Sequence, residues 1–131
     1  MKKQTLPIAK DDRGELLPIY WQDFHFDWKR CFVIKNSPKG AVRGKHAHKR
    51  ETQIITVLSG SIKLESDYGF NVVSDILKEN EYCLLAPLTW NTFEVLEENT
   101  MIMVLGSEMC DEKEYIRDYD EFMSYVQRSA V

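Results

Sequence analysis

The chain has 131 residues, 44% of them hydrophobic and 29% charged, and a formal net charge of −4. One domain spanning residues 1–131 is expected, with enough chain to bury a core and the composition of a soluble globular protein. The mildly acidic balance argues against nucleic acid or an anionic membrane as the main partner, and the lack of a bilayer-length apolar run or a signal-peptide pattern points to the cytoplasm.

Taken in order, residues 1–8 read as a short first strand, and Asp11-Asp12-Arg13-Gly14-Glu15 as a turn. Residues 16–20 continue as a strand that Pro18 places at an edge or beside a bulge. Residues 21–28 are aromatic-rich without a clean period, and His25 among them reads as a surface or interface residue. Residues 30–34 form a short buried strand, and Asn36-Ser37-Pro38-Lys39-Gly40 a loop. From Arg43 to Leu58 the chain reads as extended, with β-branched apolar residues in its second half, and Ser59-Gly60 turns it into Ile62-Lys63-Leu64. Strands then recur at 72–76, 82–86, 90–96 and 101–106, separated by turn residues. Many short strands of this spacing favour a β-sandwich or barrel. The period changes near the end: Asp111 and Glu114 resemble a capping pair, and Tyr115, Tyr119, Phe122 and Val126 recur at helical steps, so one or two short C-terminal helices are expected. The cysteines, Cys31, Cys83 and Cys110, lack metal-like spacing and read as free thiols, mostly core filler, in a reducing compartment.

The chemistry concentrates in Arg43-Gly44-Lys45-His46-Ala47-His48-Lys49-Arg50. His46 and His48 are two residues apart, so on a strand they share a face. Imidazole titrates near neutrality, and a pair on one wall suits the movement of a proton between adjacent atoms of a bound substrate. Arg43, Lys45, Lys49 and Arg50 offer charge to a phosphate-bearing ligand. Gly44 lets the backbone turn and aim Arg43 inward.

The spacing of Gly44, His46, His48, Gln53 and Gly60 resembles the first motif of the cupin fold, an all-β double-stranded β-helix or jelly-roll-like barrel. In metal cupins that motif supplies two histidines and a glutamate, and a second motif a third histidine. The glutamate position falls here on Gln53, or on Thr52 under the shorter spacing, and the second motif on Pro87-Leu88-Thr89-Trp90-Asn91-Thr92. Two imidazoles and a neutral amide suit a divalent metal poorly, so no metal is expected.

Arg43-Gly44-Lys45-His46-Ala47-His48-Lys49 is similar to the signature of the sugar-nucleotide 3,4-ketoisomerases, the FdtA-like or WxcM-like cupins. Asp12-Arg13-Gly14, Ser59-Gly60-Ser61, Met103-Val104-Leu105-Gly106-Ser107 and Tyr115-Ile116-Arg117-Asp118-Tyr119 extend the resemblance over nearly the whole chain. It implies a cofactor-free isomerase that moves the carbonyl of a dTDP-4-keto-6-deoxy sugar from C4 to C3, in the biosynthesis of bacterial surface glycans such as lipopolysaccharide. His46 and His48 would be the acid–base pair, in either order. Arg43, Lys45, Gln53, Trp90 and Asn91 are the candidate substrate-binding residues. A homodimer with exchanged N-terminal strands is implied as well. The family's active-site tyrosine falls on Phe32 or Val33, and its histidine after the tryptophan on Asn91. The alternative is a non-catalytic cupin that binds a nucleotide sugar and partners another sugar-modifying enzyme.

Overall fold

The computed structural model of the chain describes residues 2–24 and 26–129. His25 lies outside the described residues. The strands are β1 (Lys3–Thr5), β2 (Ala9–Asp11), β3 (Gly14–Leu16), β4 (Arg30–Ile34), β5 (Val42–His48), β6 (Gln53–Ser59), β7 (Ser61–Asp67), β8 (Val72–Lys78), β9 (Glu81–Leu85), β10 (Trp90–Val95), β11 (Met101–Gly106) and β12 (Tyr115–Ile116); one helix, α1 (Tyr119–Ser129), follows. Two five-stranded sheets form, in the orders β1-β9-β6-β11-β4 and β12-β5-β10-β7-β8, and β2 and β3 make a separate hairpin. All pairings are antiparallel. The all-β barrel expected from the turn spacing is therefore the architecture observed.

Alternation along the strands builds the core. β6 sends Gln53, Ile55 and Val57 inward, β7 sends Ser66, Leu64 and Ile62, and β10 sends Asn91, Phe93 and Val95; all are buried. Register brings these into layers, with Ser66 opposite Asn91, Leu64 opposite Phe93, and Ile62 opposite Val95. Val57, Ile62, Val95 and Ile102 close one end of the barrel at 1% exposure or less. Each such aliphatic contributes roughly 1.5–3 kcal/mol through removal from water. At the other end the inward residues turn polar, and there the barrel stays open.

The C-terminal segment departs from the helical reading. Asp111 caps only a short 3₁₀ turn, Glu112–Glu114, accepting a hydrogen bond from the Lys113 backbone N–H at 3.0 Å. The chain then extends as β12 and pairs with β5, setting Tyr115 opposite His48 and Ile116 opposite Ala47. Strand pairing to an open edge thus overrides the helical spacing that begins at Tyr115. The helix starts at Tyr119 and seats buried Phe122 against Trp90, with ring centroids 5.7 Å apart. It covers the outer face of β5 and β10, packing on Ala47 and Ile116.

Two smaller expectations also change. The strand foreseen at 16–20 ends at Leu16, and Pro18, with no N–H to donate, lies in irregular chain. Of the free cysteines only Cys83 is core, its thiol pushed up to about 12 by burial, while Cys31 and Cys110 are exposed. No helix of the described residues is long and apolar enough to cross a membrane.

Candidate active site

The open end of the barrel is shaped by a β-bulge in β5. Opposite β10, His46 pairs with Asn91 and Gly44 with Thr92, which leaves Lys45 as an extra residue. Gly44 and Lys45 both take positive φ, 88° and 60°. A side chain at position 44 would set its Cβ 2.6 Å from the Asn91 carbonyl oxygen, so glycine is required there. On an uninterrupted strand Arg43 and His46 would face opposite ways. The extra residue resets the alternation, and both line one cavity.

That cavity has a volume of about 220 Å³. Its rim carries Arg43, His46, Gln53, Asn91, Tyr115 and Arg117, and its floor is the apolar core, including Leu64, Phe93 and Val104. His46 and His48 lie on the same face of β5, with ring centroids 5.0 Å apart in an edge-on arrangement. The Tyr115 ring meets both, at 5.0 Å from His46 and 4.5 Å from His48. The two imidazoles differ in access. His46 is half-buried and lines the cavity; His48 is 4% exposed, does not line it, and has no hydrogen-bond partner at either ring nitrogen among the described residues.

The Nδ1 of His46 lies 3.1 Å from the carbonyl oxygen of Gly44. A carbonyl only accepts, so the neutral ring carries its hydrogen on Nδ1 and keeps the lone pair on Nε2. Burial holds His46 below the usual imidazole range, partly offset by that hydrogen bond, and the Arg117 and Arg30 charges push the same way. Burial, reinforced by His46, drives His48 down to about 4 against the opposing pull of Glu51. Both rings are therefore neutral near pH 7.

Glu51 is a finding that strand parity conceals. Were β5 to continue, Glu51 would face away from both imidazoles. The strand instead ends at His48, and the chain bends at Lys49–Arg50. The Glu114 carboxylate holds the bend by accepting hydrogen bonds from the backbone N–H groups of Arg50 and, at 2.9 Å, of Glu51. The Glu51 side chain, 1% exposed, thus comes within 3.8 Å of His48 Nδ1. It accepts from Arg30 Nη2 at 2.7 Å, from Gln53 Nε2 at 2.5 Å and from the Glu108 backbone at 3.2 Å. Burial opposes the Arg30 charge, but its hydrogen bonds to Glu51 and Tyr115 outweigh this and hold the guanidinium above its ordinary range.

The residues expected to bind substrate divide. Arg43, Gln53 and Asn91 meet at the cavity, where Asn91 is fixed by Ser66 Oγ donating at 2.7 Å and by its own Nδ2 donating to the Thr89 carbonyl at 3.2 Å. Lys45 is exposed on the bulge and Trp90 packs on α1; neither lines the cavity. The other cations disperse, with Lys49 over the Tyr125 ring at 5.5 Å and Arg50 on Glu114 at 3.2 Å. Arg117, stacked 4.4 Å from the Tyr115 ring centre and 2.5 Å from Glu112, takes a rim position that the sequence reading did not foresee. Among the described residues no group of three or more His, Cys, Asp or Glu is arranged to hold a metal ion. The donors of the cupin motif positions, two imidazoles and two neutral amides, do not fit one.

The arrangement defines a small-molecule site: a barrel mouth with one accessible neutral imidazole, a phenol, two arginines and an apolar floor. Residues 1–127 match the family model FdtA, described as WxcM-like, C-terminal. The chain is 32% identical to a TDP-4-oxo-6-deoxy-alpha-D-glucose-3,4-oxoisomerase from Aneurinibacillus thermoaerophilus, over 98% of this chain and 95% of that protein. It superposes with a TM-score of 0.91 and 29% identity on QdtA, a sugar 3,4-ketoisomerase from Thermoanaerobacterium thermosaccharolyticum in complex with TDP, covering 99% of this chain and 96% of the other. A 3,4-ketoisomerase from Helicobacter canadensis is similar at a TM-score of 0.89 and 30% identity, with 96% of each chain covered. The chain belongs to the FdtA (WxcM-like) family of cupin-fold proteins.

Proposed function

We propose that this chain is a TDP-4-keto-6-deoxyhexose 3,4-ketoisomerase that works in the cytoplasm by histidine acid–base chemistry, without metal or organic cofactor. The observation that carries the reading is His46: a neutral imidazole on a cavity wall, its proton fixed on Nδ1 and its Nε2 free to accept. The relatives' names supply the substrate class. The cavity volume of about 220 Å³ suits a sugar ring more than a whole nucleotide sugar, so the nucleotide extends across the mouth.

In the proposed reaction the sugar's C4 carbonyl makes the hydrogen on C3 acidic. His46 Nε2 removes it, giving an enediol-like intermediate, and the imidazolium returns a proton to C4 as the carbonyl forms at C3. Arg43 and Arg117 offer fixed positive charge for the diphosphate or for oxygen charge that develops in the transition state. His48 supports the His46 ring from behind and acts through it. A homodimer is part of the reading: among the described residues hairpin β2–β3 pairs only with itself, and its Leu16 and the nearby Tyr20 are 66% and 54% exposed.

Incubation with TDP-4-keto-6-deoxyglucose in D₂O, followed by NMR, tests the activity. Formation of the 3-keto sugar with deuterium at C4, or wash-out of hydrogen at C3, is expected. Tight binding of TDP with neither outcome would overturn catalysis in favour of a nucleotide-sugar-binding module. Light scattering on the eluting protein tests the dimer, and a monomer mass rejects it.

A further inference from the structure

A 3,4-carbonyl exchange moves two hydrogens, one between carbons and one between oxygens. His46 accounts for the first. Resting on the ketoisomerase reading, we propose that Tyr115 is the second catalytic residue and carries the oxygen-bound proton from O3 to O4.

Its place follows from what the other polar groups of the cavity can do. The guanidinium groups of Arg43 and Arg117 are donors with no lone pair to offer, and the amides of Gln53 and Asn91 do not exchange roles as acid and base. His48 is buried behind the wall. Among the described lining residues this leaves His46 and Tyr115 as groups able to give and retake a proton. Their rings lie 5.0 Å apart, on neighbouring strands, at the same mouth.

The hydroxyl is also oriented. Arg30 Nη2 donates to Tyr115 Oη at 3.2 Å. A guanidinium offers no lone pair, so the phenol's own hydrogen turns elsewhere, and no acceptor for it exists among the described residues. Arg30 is held charged by Glu51 and stands ready to stabilise a transient phenolate. The step balances. The C3–H bond breaks as N–H forms on His46, and the pair it leaves makes the C3–C4 double bond. The O–H of Tyr115 breaks as O4–H forms, giving a neutral enediol. The phenolate then takes the hydrogen from O3, the C3 carbonyl forms, and His46 returns its proton to C4.

Tyr115→Phe keeps the ring that touches both imidazoles and removes only the hydroxyl. With TDP-4-keto-6-deoxyglucose its kcat is expected to fall about 100-fold or more while TDP affinity stays within about threefold of the parent. Ring-fluorinated tyrosines at position 115 should change kcat in step with phenol acidity, which a purely structural role would not produce. A Tyr115→Phe kcat within about threefold of the parent, or a flat fluorotyrosine series, overturns the role of Tyr115 while leaving the parent activity standing. A parent protein that binds TDP but turns over no keto sugar overturns the ketoisomerase reading and this inference with it.

Discussion

The two ends of the barrel are built by the same strands to opposite purposes. Following β6 from Val57 to Gln53, β7 from Ile62 to Ser66, or β10 from Val95 to Asn91, each inward position moves from a sealed aliphatic to a polar group. The closed end is held by dispersion and water exclusion, which tolerate no gap. At the open end, buried charge is tolerated because Glu51 meets Arg30, Gln53 and the Glu108 backbone together. One end supplies stability with no chemistry, while the other concentrates chemistry at a standing cost in desolvation.

Substitutions sharpen that contrast. The largest effect is expected at the open end for His46→Asn, which removes the accessible base: kcat should drop about 10²–10⁴-fold with melting temperature and TDP affinity near the parent's. Comparable turnover in the variant would end the assignment. At the closed end, Ile62→Ala should cost about 2–5 kcal/mol in urea unfolding, from lost burial and a residual cavity, with kcat per folded molecule unchanged. Lost kcat there would mean the ends are not separable. Glu51→Ala strands the Arg30 charge. Because that side chain keeps 16% exposure, a loss of about 3 kcal/mol is expected, the low end for breaking a buried pair. A variant as stable as the parent would show that the pair is not structural.

The most gradual effect comes from acid. His48 titrates at about 4 in the fold against 6.5 when unfolded, so below pH 6.5 the unfolded chain takes up its proton first. Stability should be unaffected by this group above pH 6.5 and should decline by up to about 3 kcal/mol toward pH 4. Thermal melts across that range, with His48→Gln expected to flatten the decline, measure it. An equally steep decline in the variant would move the cause to another group.

Much of this was legible from local pattern. Alternation put His46 and His48 on one face, turn residues marked the hairpins, and Gly44 signalled that Arg43 is turned inward. The same parity rule argued against pairing Lys45 with His46, or Trp90 with Asn91, at one cavity, since adjacent strand residues face opposite sides. Lys45 came from the local run of positive charge, and neither pairing rested on strand geometry. Arg30, Glu51, Tyr115 and Arg117 left no local trace. Tyr115 reaches Arg30 across 85 positions, and Glu51 turns inward only because Glu114, 63 residues on, captures the backbone of the bend. Contacts of that separation depend on the completed barrel. Tyr115 in addition begins a helical spacing that its pairing with His48 overrules.

The supernumerary Lys45 has a consequence for how such a site divides its tasks. Excising that single codon would leave Gly44 alone between Arg43 and His46, so on the regular strand that results both would still face the cavity. Straightening the strand with Lys45 retained is what would turn Arg43 outward and leave both imidazoles in place, so anion grip depends on the kink at Gly44–Lys45 while proton handling does not.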